Sequence, residues 1–182
     1  MAYEKEHIET YAREKTKGRA ISGFDHFKRV YQTASKLARE YDKDVLHAAC
    51  FLHDIEMGDE HHKASAEHAK GVLKGKLPPH KLHAVEHAIL HHVLEGKPKS
   101  VEAILVHDAD LLDYLGIVGM IRLALAAREW YGKEDMSDIL RMIKGFRKLI
   151  ADKLLLKQSR AKAAERLAMM DIAIAELEKE VG

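Results

Sequence analysis

The chain reads as an all-α protein. Apolar residues recur at three- and four-residue steps over most of its length, and only 3 Pro and 11 Gly among 182 residues interrupt them. Hydrophobic content of 47% beside 32% charged residues is ordinary for a globular protein with a substantial core. One helical domain over residues 1–182 is expected, with a core over about 22–130 and C-terminal helices over about 134–181 packed on it.

A polar, amphipathic first helix is expected from about Tyr3 to Lys17, carrying Ile8 and Tyr11. Ser22-Gly23-Phe24-Asp25 then supplies turn and cap chemistry, and a second helix runs towards Glu40 with Phe27, Val30, Tyr31, Ala34 and Leu37 at helical spacing. After Asp42-Lys43-Asp44 a largely apolar third helix ends near His53-Asp54 and the loop Met57-Gly58-Asp59-Glu60. A fourth spans about His62 to Leu73, stopped by Lys74-Gly75-Lys76, and Pro78-Pro79 opens a fifth that runs to His92. Pro98 and Ser100 open a sixth, which continues to Tyr114 before Gly116. Two or three more follow, broken near Gly132 and around Gln158. In the last, Ala163, Leu167, Met170, Ile174, Leu177 and Val181 form a core-facing seam.

Lys+Arg of 30 against Asp+Glu of 29 gives a formal charge of +1, so bulk charge does not argue for a nucleic-acid or membrane partner. The N-terminus is charged, and no apolar run reaches the roughly 18 to 20 residues of a membrane span, so a cytoplasmic location is expected. The single cysteine, Cys50, sits among Ala48, Ala49, Phe51 and Leu52 and reads as a buried small hydrophobe. Amphipathic helices at both ends fit packing within a monomer or across the two-fold of a homodimer equally well.

Histidine carries the chemical signal. Eleven of the 13 His fall between His47 and His107, and they include the pair His53-Asp54, followed later by Asp108-Ala109-Asp110. Imidazole nitrogens and carboxylate oxygens from several helices suit a divalent metal, and mixed donors favour Mn, Fe, Co, Ni or Zn over Mg. His53 and Asp54 alone are too few ligands. His26, near the start of the second helix, and Asp110 are chemically suited to complete the set.

In order and context, His26, His53-Asp54 and Asp110 resemble the H…HD…D signature of the HD-domain superfamily of metal-dependent phosphohydrolases. The segments Asp25-His26-Phe27-Lys28-Arg29-Val30, Phe51-Leu52-His53-Asp54-Ile55 and Asp108-Ala109-Asp110-Leu111-Leu112-Asp113 are similar to its YedJ-like branch. So are Phe146-Arg147-Lys148-Leu149 and the Arg160 to Arg166 stretch, so the resemblance covers the chain from about Ser22 onward. It implies that His26, His53, Asp54 and Asp110 hold a first metal. Asp108 rivals Asp110, and the Ala-Asp-Xaa-Leu frame favours Asp110. Relatives with a second ion imply His62 and His91 as its ligands, with His92 able to replace His91, so one or two ions are expected.

His83, His87 and His91 line one helix face, but over about 12 Å, too far for all three to bind one ion. His7, His47, His61, His68, His80 and His107 read as surface or structural histidines.

The activity implied is hydrolysis of a small phosphorylated compound, a nucleotide among the options, as a phosphomonoesterase or phosphodiesterase. Asp54 would anchor the water nucleophile, with His62 or His91 protonating the leaving oxygen. Arg29, Lys63, Arg122, Lys157 and Arg160 are candidate phosphate contacts, and the chain lacks a Gly-rich phosphate cradle. Two other readings keep the helices and metals: a di-iron oxygenase of HD type, and a non-catalytic metal- or nucleotide-binding module.

Overall fold

The computed structural model describes residues 3–181. Among them are nine helices and no strand. They are α1 (Lys5–Lys15), α2 (Phe24–Ala34), α3 (Lys43–Leu52), α4 (His61–Leu73), α5 (Pro79–Leu90), α6 (Val101–Asp113), α7 (Gly116–Glu129), α8 (Met136–Ala151) and α9 (Lys157–Val181). The chain divides into two compact units, one up to Asp110 and the other from Leu111. No helix among the described residues is long and apolar enough to cross a membrane.

In the first unit α3 is the central element, packed on α1, α2 and α5, while α4 and α5 pair with each other. Its sequence explains this place: from Val45 to Leu52 every residue is buried, so the helix is surrounded rather than laid on a surface. Asp42 starts it by accepting from the backbone N–H groups of Asp44 and Val45 at 3.0 and 3.1 Å. Glu102 of α6 accepts from the Asp42 N–H at 2.8 Å. Phe27, Phe51, Leu46, Leu52 and Ile55 are fully buried around this helix, each contributing about 1.5–3 kcal/mol by leaving water. Cys50 is buried with them, and burial pushes its thiol pKa up, which leaves it inert.

Two Tyr–His–Glu chains fasten α1. The Tyr3 hydroxyl meets His47 Nδ1 at 2.6 Å and His47 Nε2 meets Glu9 at 3.0 Å. Tyr11 pairs with His68 Nε2, whose Nδ1 reaches Glu56 at 2.6 Å. Helix α2 ends at Ala34, well before Glu40, because the backbone tightens into turns in which Ser35, Lys36 and Leu37 donate to carbonyls three or four residues back.

The second unit holds α7, α8 and α9, each packed on the other two. Of the apolar seam on α9, Ala163, Met170 and Ile174 are buried and Leu167, Leu177 and Val181 half-buried. Ahead of α7, Tyr114 stacks on Phe146 with ring centres 6.2 Å apart, and Arg122 lies 4.3 Å over the same ring. Asp113 closes this cluster through a 2.9 Å ion pair with Arg122.

Candidate metal centre

Five elements of the first unit deliver donors to one buried spot. His26 stands in the first turn of α2, His53 is the C-cap of α3 with Asp54 directly after it, His92 follows the end of α5, and Asp110 lies on α6. His61 is the first residue of α4. His26, His53, Asp54, His92 and Asp110 are all buried.

The separations are those of donors facing a common centre. His26 Nε2 is 3.1 Å from His53 Nε2 and 3.2 Å from Asp110 Oδ1. His53 Nε2 is 3.8 Å from Asp110 Oδ1 and 3.9 Å from Asp54 Oδ2. On the other side of Asp54, its Oδ1 lies 3.2 Å from His92 Nε2 and 3.5 Å from His61 Nε2. Among the described residues, two groups keep three donor atoms within 4.8 Å: His26, His53 and Asp110, and His53, Asp54 and His92.

The ring tautomers explain why a cation fits here. His53 Nδ1 lies 2.9 Å from the Cys50 carbonyl and His92 Nδ1 2.7 Å from that of Ile89, so each ring donates there and turns an Nε2 lone pair inward. His61 Nδ1 does the same to the Gly58 carbonyl at 3.1 Å. Gly58 makes that turn with φ of 109°, a conformation glycine adopts without a Cβ penalty. Inward lone pairs next to carboxylates repel one another, and Asp54 Oδ1 and Asp110 Oδ1 are buried with no hydrogen bond. A divalent ion removes both penalties, and the donor set is the imidazole–carboxylate mixture that transition ions take.

Electrostatics show the same coupling. Burial alone would raise the Asp54 carboxyl, yet His53 and His92 hold its pKa well below the usual range. Asp110 is likewise lowered against its burial, by His26 and His53. His53 goes the other way: burial opposes its charge, but Asp54 and Asp110 together raise its pKa.

The HD domain family matches residues 23–115, about half of the chain, and this stretch contains all of these donors. The chain belongs to the HD domain family. Solved structures agree on the HD fold. A Lactobacillus plantarum protein is 24% identical with a TM-score of 0.75, covering 99% of this chain and 98% of its own. Bacillus subtilis YpgQ in complex with ADP is 22% identical with a TM-score of 0.75, covering 97% of each chain. An HD-superfamily hydrolase from Bacillus thuringiensis is 22% identical with a TM-score of 0.72, covering 97% of this chain and 95% of its own. No curated protein matches the chain.

Within this HD domain the other expected site residues take varied places. His62 is half-buried at the rim, its ring centre 5.7 Å from that of His61, and burial followed by the neighbouring His61 and His92 lowers its pKa. His91 lies outside the donor groups: its ring is 4.6 Å from that of His87, and its Nδ1 accepts from the Lys97 N–H at 3.4 Å. His87 accepts in turn from the Lys99 N–H at 3.1 Å, so this pair orders the loop before α6. Asp108 is buried against His107 Nδ1 at 3.2 Å and belongs to neither donor group.

Of the cations, Arg29 lines a cavity that His26 also lines. Lys63 is exposed and paired with Glu60. Arg122 is committed to Asp113, Arg160 donates to the carbonyls of Leu154 and Leu155, and Lys157 is exposed.

Two residues near the centre have no counterpart among the expected site residues. The sequence reads His61 as a surface or structural histidine; its position beside His62 at a helix start is the available signal. Arg19 donates to the carbonyls of Asp54 and Ile55 at 3.1 and 3.2 Å and so fixes the turn that carries the HD pair. A lone arginine in a loop gives no such signal in sequence.

Proposed function

We propose that the chain is a metal-dependent phosphohydrolase acting on a small phosphorylated compound. The observation that carries this reading is the inward Nε2 set of His26, His53 and His92 around Asp54 and Asp110, whose Oδ1 atoms are buried without a hydrogen bond. His26, His53, Asp54 and Asp110 would hold a first divalent ion, and Asp54, His92 and His61 are the donors available to a second. Bound there, such ions supply Lewis acidity towards phosphoryl oxygen and lower the pKa of water.

The chain's own groups do the rest. The Cys50, Ile89 and Gly58 carbonyls hold three rings in one tautomer, so no reorganisation is needed when a ligand arrives. Arg19 keeps the Asp54 backbone in place. His62 is the side chain available to handle a proton: its lowered pKa leaves it neutral near pH 7 and favours accepting over donating. His91, held by the Lys97 N–H, is less available. A nucleotide is the favoured substrate type, in keeping with the ADP complex of YpgQ.

The test is a screen of phosphate monoesters, diesters and nucleotides with the full chain reconstituted separately with Mn, Fe, Co, Ni, Zn and Mg. Turnover that vanishes in Asp54→Ala supports the reading. Stoichiometric metal binding with no turnover of any ester rejects it in favour of the binding module, and oxygen consumption by an iron-loaded form would favour the oxygenase.

A further inference from the structure

A cation stands directly behind the proposed ligand Asp54. Arg19, in the turn between α1 and α2, donates through Nη1 to the Asp54 carbonyl at 3.1 Å and through Nη2 to the Ile55 carbonyl at 3.2 Å. Coulomb's law alone selects against a guanidinium beside a site for divalent cations, so its place there calls for a gain of another kind. The carbonyls it takes lie just past the end of α3, where the helix offers them no N–H partner. From the other side, the buried Ser65 hydroxyl of α4 accepts from the Glu56 N–H at 3.0 Å. The backbone from Asp54 to Glu56 is thus gripped by one side chain from the α1–α2 turn and one from α4. Arg19 is itself held in place: its N–H donates to the Thr16 carbonyl at 3.1 Å, and its own carbonyl fills the space where a Cβ on Gly23 would collide.

That grip sets where the Asp54 carboxylate points. Its Oδ2 lies 3.8 Å from His26 Nε2 and 3.9 Å from His53 Nε2. Its Oδ1 lies 3.2 Å from His92 Nε2 and 3.5 Å from His61 Nε2, so each oxygen serves a different donor group. A carboxylate free to turn can instead place both oxygens on one ion. The two groups would feel such a turn unequally. The first keeps Asp110 as an anionic donor beside His26 and His53. Among the described residues, Asp54 is the one carboxylate facing His92 and His61, and the His61 side chain is 32% exposed.

We infer that Arg19 is a positioning residue that keeps the Asp54 carboxylate divided between the two donor groups, so that the His92–His61 side can hold an ion of its own. The inference rests on the metal centre of the proposed function, but not on the hydrolysis of any ester. A guanidinium suits the task because its planar fork meets two successive carbonyls at once, which an ammonium on a flexible stem does not. The sign of its effect is what sets it apart: a cation acting only through charge would weaken metal binding, whereas Arg19 strengthens it by fixing a ligand.

The experiment titrates Mn(II) calorimetrically into the full chain, stripped of metal with EDTA and dialysed, for wild type, Arg19→Lys, Arg19→Gln and Lys17→Gln. Wild type is expected to bind two ions. In Arg19→Gln the weaker step should lose about 10- to 100-fold in affinity, the usual scale for removing a partner behind a ligand, while the tighter step is nearly unchanged. Arg19→Lys should fall between the two. Lys17→Gln removes the same charge at an exposed position of the same turn and should bind both ions at least as tightly as wild type. Circular dichroism checks that the variants are as helical as wild type; if Arg19→Gln is not, Arg19→Lys carries the comparison. A single ion in wild type, unchanged or tighter binding in the Arg19 variants, or an equal loss in Lys17→Gln overturns the proposal. So does an equal loss in both steps, which is what a merely structural arginine would give. The split between steps with no ester hydrolysed by any metal form would uphold the role of Arg19 while removing the phosphohydrolase reading.

Discussion

His26 Nε2 and His53 Nε2 stand 3.1 Å apart in a fully buried spot, and His53 has already committed its Nδ1–H to the Cys50 carbonyl. When the His53 ring is neutral, its inward nitrogen is thus an acceptor. A proton on His26 Nε2 could serve His53 or Asp110, but one N–H cannot satisfy both, and Asp110 Oδ1 is left without a hydrogen bond. A cation could take both lone pairs and the carboxylate together, which is the chemical basis for placing the proposed metal centre on this pair.

Metal retention should therefore depend on the HD pair itself. Wild type reconstituted with Mn or Zn and freed of excess is expected to retain one or two ions per chain by inductively coupled plasma mass spectrometry. His53→Ala and Asp54→Ala should retain none while keeping their helicity. Full metal content in either variant would remove the proposed centre.

His61 and His62 separate the two roles at the start of α4. His61 Nε2 faces Asp54 at 3.5 Å, whereas His62 only adjoins His61. His61→Ala is expected to lower metal content without abolishing it. His62→Ala should keep the metal and lose turnover by about 10²- to 10⁴-fold, the usual scale for a proton-transfer group. The opposite pattern would give His62 the ligand role.

How much of this centre was legible follows from what each residue signals alone. The HD pair at the end of an apolar helix, His26 in a first turn and Asp110 in its frame are recognisable because their spacing and neighbours are local. The sequence cannot tell which of His61-His62 or His91-His92 turns inward, because adjacent helical residues point about 100° apart and the helix end sets the answer. Here the Gly58 and Ile89 carbonyls decide it, by holding the Nδ1 atoms of His61 and His92. The helices follow the same division. Pro79 and Asp42 mark starts that the structure keeps, while α2 stops at Ala34 through turns with no proline or glycine to announce them.

Arg122 has a structural role in the second unit that its charge alone conceals. It is buried, paired with Asp113 at 2.9 Å and stacked on Tyr114. Arg122→Ala leaves Asp113 buried without its guanidinium, and a loss of about 3–5 kcal/mol is expected in urea unfolding. Replacing both partners, as Arg122→Met/Asp113→Leu, should cost less than the single change. A single variant as stable as wild type would show that the pair contributes nothing.

His47 gives the fold a pH dependence that can be read apart from the metal centre. It is buried between Tyr3 and Glu9, and burial lowers its pKa below 6.5 although Glu9 pulls the other way. In the unfolded chain the ring takes its proton near 6.5, so between the folded pKa and that value the unfolded state binds more protons. Stability from this residue is therefore full above pH 6.5 and is lost as the pH falls through the folded pKa. His47→Gln leaves Tyr3 and Glu9 without their partner and should cost about 1–3 kcal/mol near pH 7.5. Because the other histidines are common to both proteins, the gap between wild type and variant should narrow as the pH is lowered to about 5.5. Thermal midpoints at a series of pH values test this on metal-free protein; a gap that stays constant or widens on acidification would mean that His47 does not titrate as its burial requires.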